Sequence, residues 1–134
     1  MKEDKFKYDI QHVKSDVLLV QEYFKRIKSR DLRGLLNLFS DDAVIHEPFS
    51  KLKYISGKSE IESFFRTVIM ANEGVQYEIR IEKERDKMHK NSVAALVIFR
   101  KENAVKARFT FGFVDANVPK LKSRIKTLNI EFID

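Results

Sequence analysis

The residues with chemistry to offer gather around one short segment, His46-Glu47-Pro48. Glu47 stands at the end of a short predicted strand, just before a proline. A carboxylate at a strand end, facing an apolar cavity, can take and return a proton. The same acid could instead sit in solvent at a loop start, or cap a neighbouring N–H. Tyr23 is the second candidate, beside an apolar helical stripe between Val20 and Ile27. Its hydroxyl could donate to a ligand oxygen on which negative charge develops. A core-edge tyrosine bonded to a backbone carbonyl would show the same spacing. His46 has the wrong parity to join Glu47, because neighbours in a strand point to opposite faces. His12 and His89 stand in polar surroundings, and no pair of histidines has metal-ligand spacing. No metal site is expected.

Phe109, Phe111 and Phe113 form an aromatic row on one face of a strand, opposite Lys106, Arg108 and Thr110. Such a row is either core packing or the wall of a pocket for a hydrophobic ligand. Ile27, Phe65 and Ile69 would line the same cavity. The chain has no phosphate loop, nucleophile elbow or Gly-rich fingerprint, its 4 glycines being few and dispersed. No cofactor is expected.

These side chains need elements to hold them. Ile10, Val13, Val17, Val20, Phe24 and Ile27 step by three and four, which predicts an amphipathic helix from about Ile10 to Arg30. A coiled coil would share this spacing, but the pattern stops after about three heptads. Asp31 is placed to cap a second, short helix with Leu32, Leu35, Leu36 and Phe39 as its apolar side. Ala43 to Glu47 reads as a short strand stopped by Pro48, and Phe49 to Lys58 as a loop. Ser59 and Glu62 fit a capping box for a third helix with Ile61, Phe64, Phe65, Val68 and Ile69 on its apolar face. Asn72-Glu73-Gly74 closes it.

From Val75 the period changes to two. Four strands follow, with Ser92 to Arg100 apolar on both faces and therefore central. Turns are expected at Glu102-Asn103 and at Asp115 to Pro119. The last strand, Leu121 to about Ile133, slips phase between Ile125 and Leu128, which predicts a β-bulge. Helices placed before an antiparallel meander mean an α+β fold, one helical layer on one sheet face.

A length of 134 residues suits one domain. With 43% apolar and 34% charged residues the chain has a globular balance. It has no cysteine, which excludes disulfides and thiolate chemistry and fits a reducing compartment. No apolar run is long enough to span a bilayer and no secretory pattern opens the sequence, so a cytoplasmic location is expected. The net charge of +6 permits attraction to anions. Its densest basic stretches, Lys51 to Lys58 and Lys120 to Lys126, do not interleave aromatics. A solvated basic surface is therefore expected rather than a nucleic-acid interface.

Several segments carry a family resemblance: Val20-Gln21-Glu22-Tyr23, Arg30 to Leu35, Leu38 to Val44, and His46-Glu47-Pro48, followed by Gly57, Ile61 and Phe64-Phe65. Together they resemble the nuclear transport factor 2-like superfamily, nearest its SnoaL-like and ketosteroid isomerase-like branch. The resemblance covers about Gln11 to Asp134 and leaves residues 1–10 as an extension. It implies a cone-like fold, N-terminal helices on a curved and mainly antiparallel sheet, with a cavity between them. It often implies a homodimer through the outer sheet face. By the same resemblance Tyr23 matches the isomerases' oxyanion tyrosine and Glu47 their general base. Their second donor, a protonated aspartic acid, falls at Phe111, with Thr110 adjacent. That departure puts the full steroid-isomerase mechanism in question.

The resulting expectation is a small-molecule-binding domain with an apolar pocket, an acid–base isomerase, cyclase or hydrolase if it is an enzyme. The alternative is a non-catalytic binding or protein-interaction module of the same fold.

Overall fold

Helix α1 covers residues 16–28 of a computed structural model that describes residues 16–48, 54–82, 92–114 and 124–133. Val20, Tyr23, Phe24 and Ile27 are buried, while Leu18, Gln21, Lys25 and Lys28 are exposed, as the stripe predicts. Ile10 and Val13 lie outside the described residues. The helix ends in a Schellman closure: Asp31 N donates to Arg26 O (3.0 Å) and Arg30 N to Ile27 O (3.2 Å). Arg30 takes the left-handed position, φ 59°, that glycine usually fills.

Asp31 also caps α2 (Leu32–Leu36), its Oδ1 accepting from Gly34 N at 2.9 Å. The sequence places Phe39 on this helix. It is instead the first residue of β1 (Phe39–His46), paired with Ile125. The reason is a long-range bond. Ile125 N donates to Leu38 O at 2.8 Å, so the sheet captures the chain before another helical turn forms.

A second correction concerns the loop after Pro48. It contains a two-residue strand, β2 (Ile55–Ser56), antiparallel to β1 through Val44 and Ile45. A third concerns the cap of α3 (Lys58–Ala71). Its N-cap is Gly57 at φ 88°, with no side-chain cap bond, and Ser59 lies inside the first turn. Gly57 turns the chain straight from β2 into the helix, and Glu60 reaches back to Ser56 N at 3.3 Å. Glu62 pairs with Arg66. The apolar face of α3 is as expected: Ile61 and Phe65 are buried, and Phe64, Val68 and Ile69 pack partly buried against the core.

β3 (Gln76–Glu82), β4 (Ser92–Arg100), β5 (Ala104–Phe113) and β6 (Ile125–Ile133) form the antiparallel meander. The sheet order is β2-β1-β6-β5-β4-β3, with β1 running parallel to β6. The predicted bulge is present. Gly112 pairs with Thr127 and Phe113 with Ile125, so Lys126 is the extra residue. This keeps both Ile125 and Leu128 on the inner face despite their spacing of three, and both are buried. Across that face run aligned rows, of which Ile45–Leu128–Phe111–Val93 is one. The core lies between these rows and helices α1 and α3. The segments Phe49 to Lys53, Asp115 to Ser123 and Met1 to Ser15 fall outside the described residues.

Candidate functional site

β1 alternates cleanly over its second half. Ala43, Ile45 and Glu47 are buried, and His46 is exposed against the Tyr54 ring at 6.2 Å. Parity therefore separates Glu47 from His46, as expected. Glu47, 7% exposed, is the one charged side chain among the described residues that is buried with the core. The β1–β6 register pairs Ile45 with Leu128 and His46 with Asn129. Continued by one residue, it brings Glu47 level with Ile130, whose own partner is Phe109. A carboxyl group thus stands at the end of an apolar row on the inner face.

Tyr23, on α1, packs over the centre of that face. Its ring meets Phe24 at 4.9 Å, Phe111 at 5.2 Å, Phe65 at 5.9 Å, and Phe39 and Phe109 at 6.2 Å, all edge-to-face. Such pairs add about 0.5–1.5 kcal/mol each beyond the area they bury. Of the residues expected to line a pocket, Phe65, Phe109 and Phe111 are therefore brought against Tyr23. Ile27 and Phe113 are buried in the same core, and Ile69 is partly buried beside it. Phe111 lies among these rings. No part of its side chain reaches solvent.

Sequence reasoning missed Phe39, which packs on Phe65 at 5.2 Å and closes one side of the Tyr23 cluster. Its position three residues past Leu36 suits a helix face and a strand start equally. Tyr77 was also missed. Its hydroxyl donates to Asn72 Oδ1 at 2.6 Å, and Asn72 Nδ2 donates in turn to Val68 O at 2.6 Å, tying β3 to the end of α3.

Burial raises the Tyr23 hydroxyl well above the usual phenol range and pushes Tyr77 up to about 12. The hydroxyl of Tyr23 therefore stays a donor throughout the physiological range. In the unfolded chain both groups lose their protons near pH 10. Above that pH the native state holds more protons than the unfolded state, so stability falls as pH rises. Each tyrosine contributes up to about 1.4 kcal/mol per pH unit, and Tyr77 ceases to contribute near pH 12. Urea unfolding between pH 9 and 11.5 is expected to show a slope in Tyr23→Phe shallower than wild type by about one proton. An identical slope would mean that the hydroxyl ionises in the folded state.

With this geometry in place, the comparisons with known proteins can be read. A family model described as the SnoaL-like domain matches residues 20–116. The chain belongs to the SnoaL-like family. Its helices on a curved, open, six-stranded sheet form the cone fold of the nuclear transport factor 2-like superfamily. No curated protein sequence matches this SnoaL-like domain. Solved structures do. SalBIII, an epoxide hydrolase/cyclase-like enzyme of pyran ring formation in the polyether salinomycin, superposes with TM-score 0.70 at 18% identity, over 90% of this chain and 92% of its own. A SnoaL-like protein from Burkholderia thailandensis gives 0.67 at 14% identity, over 90% and 96%. Rv0760c from Mycobacterium tuberculosis, in complex with estradiol-17β-hemisuccinate, gives 0.61 at 19% identity, over 89% and 94%. At these identities the likeness carries the fold, and the chemistry rests on the residues of this chain.

Proposed function

We propose that this SnoaL-like domain binds a mostly apolar small molecule between the inner sheet face and the helices, and that Glu47 takes or relays a proton on it. The observation that carries this reading is the burial of one carboxylate at the end of an apolar row. A carboxylate in a recessed, mostly apolar setting is the kind of group that serves as a general acid or base. Tyr23, held protonated by burial, would donate to an oxygen on which negative charge develops. Phe65, Phe109, Phe111 and Phe113, with Ile27 and Ile69, would form the apolar wall. Phe111 in place of an acid leaves one oxyanion donor, which suits a cyclisation, hydrolysis or isomerisation with a smaller demand for charge stabilisation. The steroid ligand of Rv0760c and the cyclase-like chemistry of SalBIII support a hydrophobic ligand of this general class.

The reading includes one domain over residues 11–134 preceded by an extension, a cytoplasmic setting, no cofactor and no nucleic acid. No described helix is long and apolar enough to cross a membrane, and a membrane role is not proposed. It also includes a homodimer through the outer sheet face, where Leu96 and Ile98 lie between the ion pairs Arg108–Glu82 (2.9 Å) and Arg100–Glu78 (3.4 Å).

A specific observation favours a second reading, a non-catalytic module of the same fold. The rings around Tyr23 pack at ordinary core distances. In that case the inner face would be filled by its own side chains and the partner would be a protein.

A thermal-shift screen of small hydrophobic ketones, acids and lactones separates the two. A compound present at about 100 times its Kd stabilises wild type by about 2.7 kcal/mol. Glu47→Gln is expected to fold and to lose most of that gain for at least one compound. Stabilisation that is equal in both proteins would remove Glu47 from the site.

A further inference from the structure

A recess lies between α1 and β3. It encloses about 660 Å³, within the range of small-molecule sites. Val20 and Phe24 line it from the helix, and Tyr77, Ile79 and Ile81 from the strand. Those strand residues belong to the inner row, which the helical layer covers elsewhere. Here the cover stops short, since Phe24 leans toward Phe109 (5.4 Å) and away from Tyr77 (6.5 Å). Ile79 is left 38% exposed.

The cationic groups of the recess sit at one end, and the uncharged Gln21 lies near the other. The Arg30–Glu73 ion pair, 2.6 Å, fastens the end of α1 to the turn that leads into β3. β3 therefore starts at the C-terminal end of α1 and runs back along it. Lys25 and Lys28 stand with Gln76 at that end, and Val20 and Ile81 lie at the other. The distance from Val20 to Lys28 is about 12 Å at 1.5 Å per residue. From Tyr77 to Ile81 it is about 13 Å at 3.3 Å per residue. Neither lysine forms an ion pair with a described residue. A recess with a cationic end and an apolar floor is complementary to a molecule with an anionic head and an unbranched apolar tail.

We infer that this groove binds a medium-chain carboxylate, the head between Lys25 and Lys28 and the tail over Ile79 and Ile81. The site lies at the β3 edge of the inner face, the opposite side of the sheet from β1 and Glu47, and its occupancy does not depend on the activity proposed there.

Calorimetric titration with decanoate below its micellar range tests the assignment. Wild type is expected to bind one equivalent, and decyltrimethylammonium, with the same tail and opposite charge, to bind at least about tenfold more weakly. The surface variants Lys25→Glu/Lys28→Glu and Ile79→Glu should each weaken decanoate by about tenfold or more, while Glu47→Gln leaves its Kd unchanged within about twofold. Absence of saturable binding to wild type, or equal affinity in the double lysine variant, would overturn the proposal. Loss of binding in Glu47→Gln would also overturn it, by moving the ligand to the β1 side of the sheet.

Discussion

Phe111→Asp is expected to cost at least about 5 kcal/mol at pH 7, a third or more of the total stability of such a domain. Truncating a buried Phe costs about 3–5 kcal/mol by itself. A carboxyl group in the vacated space adds the penalty of burying a polar or charged group. Domains of this kind have only about 5–15 kcal/mol in total. Phe111 has no exposure at all, and its ring meets Tyr23, Phe24 and Phe109. The sign of the pH dependence follows from burial, which favours the neutral form of an acid. The native variant would hold its proton to higher pH than the unfolded chain. Its deficit relative to wild type should thus be smallest below about pH 4 and grow as pH rises. Urea unfolding at pH 4.5 and 7 reads this directly. A variant that folds with near wild-type stability would show that the position accepts the acid of the resembling isomerases, and that the inner face there is a polar site.

Phe65→Ala should lose about 3–5 kcal/mol by the removal of a ring that no solvent reaches. The side chain packs on Tyr23, Phe39 and Phe64 at 5.1–5.9 Å, so α3, α1 and β1 all lose a shared contact. A cavity lined by such rings stays dry and can take a small aromatic guest. Benzene is therefore expected to recover part of the lost stability in the variant and to leave wild type unchanged. A loss below about 1 kcal/mol would mean that Phe65 already faces open space in the wild type.

The elements legible in the sequence were those whose pattern is local. The stripe of α1, the period-two rows of the meander and the cap at Asp31 each depend on side chains a few residues apart. The bulge at Lys126 was legible for the same reason, since a one-residue slip in a strand must move apolar side chains to the wrong face. The parity of Glu47 against His46 followed from the same alternation. What escaped was fixed by distant partners. Phe39 joins β1 because Ile125 bonds to Leu38. β2 is only Ile55–Ser56 and exists because Val44 and Ile45 receive it. The parallel pairing of β1 with β6 brings together residues some eighty positions apart, and no local spacing encodes it. Ser59 had the right neighbours for a cap, but Gly57 at φ 88° started the helix earlier. At the candidate site, Glu47 and Phe111 were legible as types in positions. Of the rings around Tyr23, Phe65, Phe109 and Phe111 were legible as facing one cavity, whereas Phe39 was not, because a distant strand draws it out of the helix.

The central claim is that Glu47 moves a proton within an apolar site. The most direct measurement takes a ketone that stabilises the protein and follows exchange of its α-protons for deuterium by proton NMR. Wild type is predicted to catalyse the exchange, and Glu47→Gln to slow it by about 10²–10⁴-fold, the usual worth of a positioned general base, while still folding and still stabilised in part by the ketone. Exchange at the same rate in both proteins, or none above the buffer rate in wild type with the ketone bound, would contradict the account.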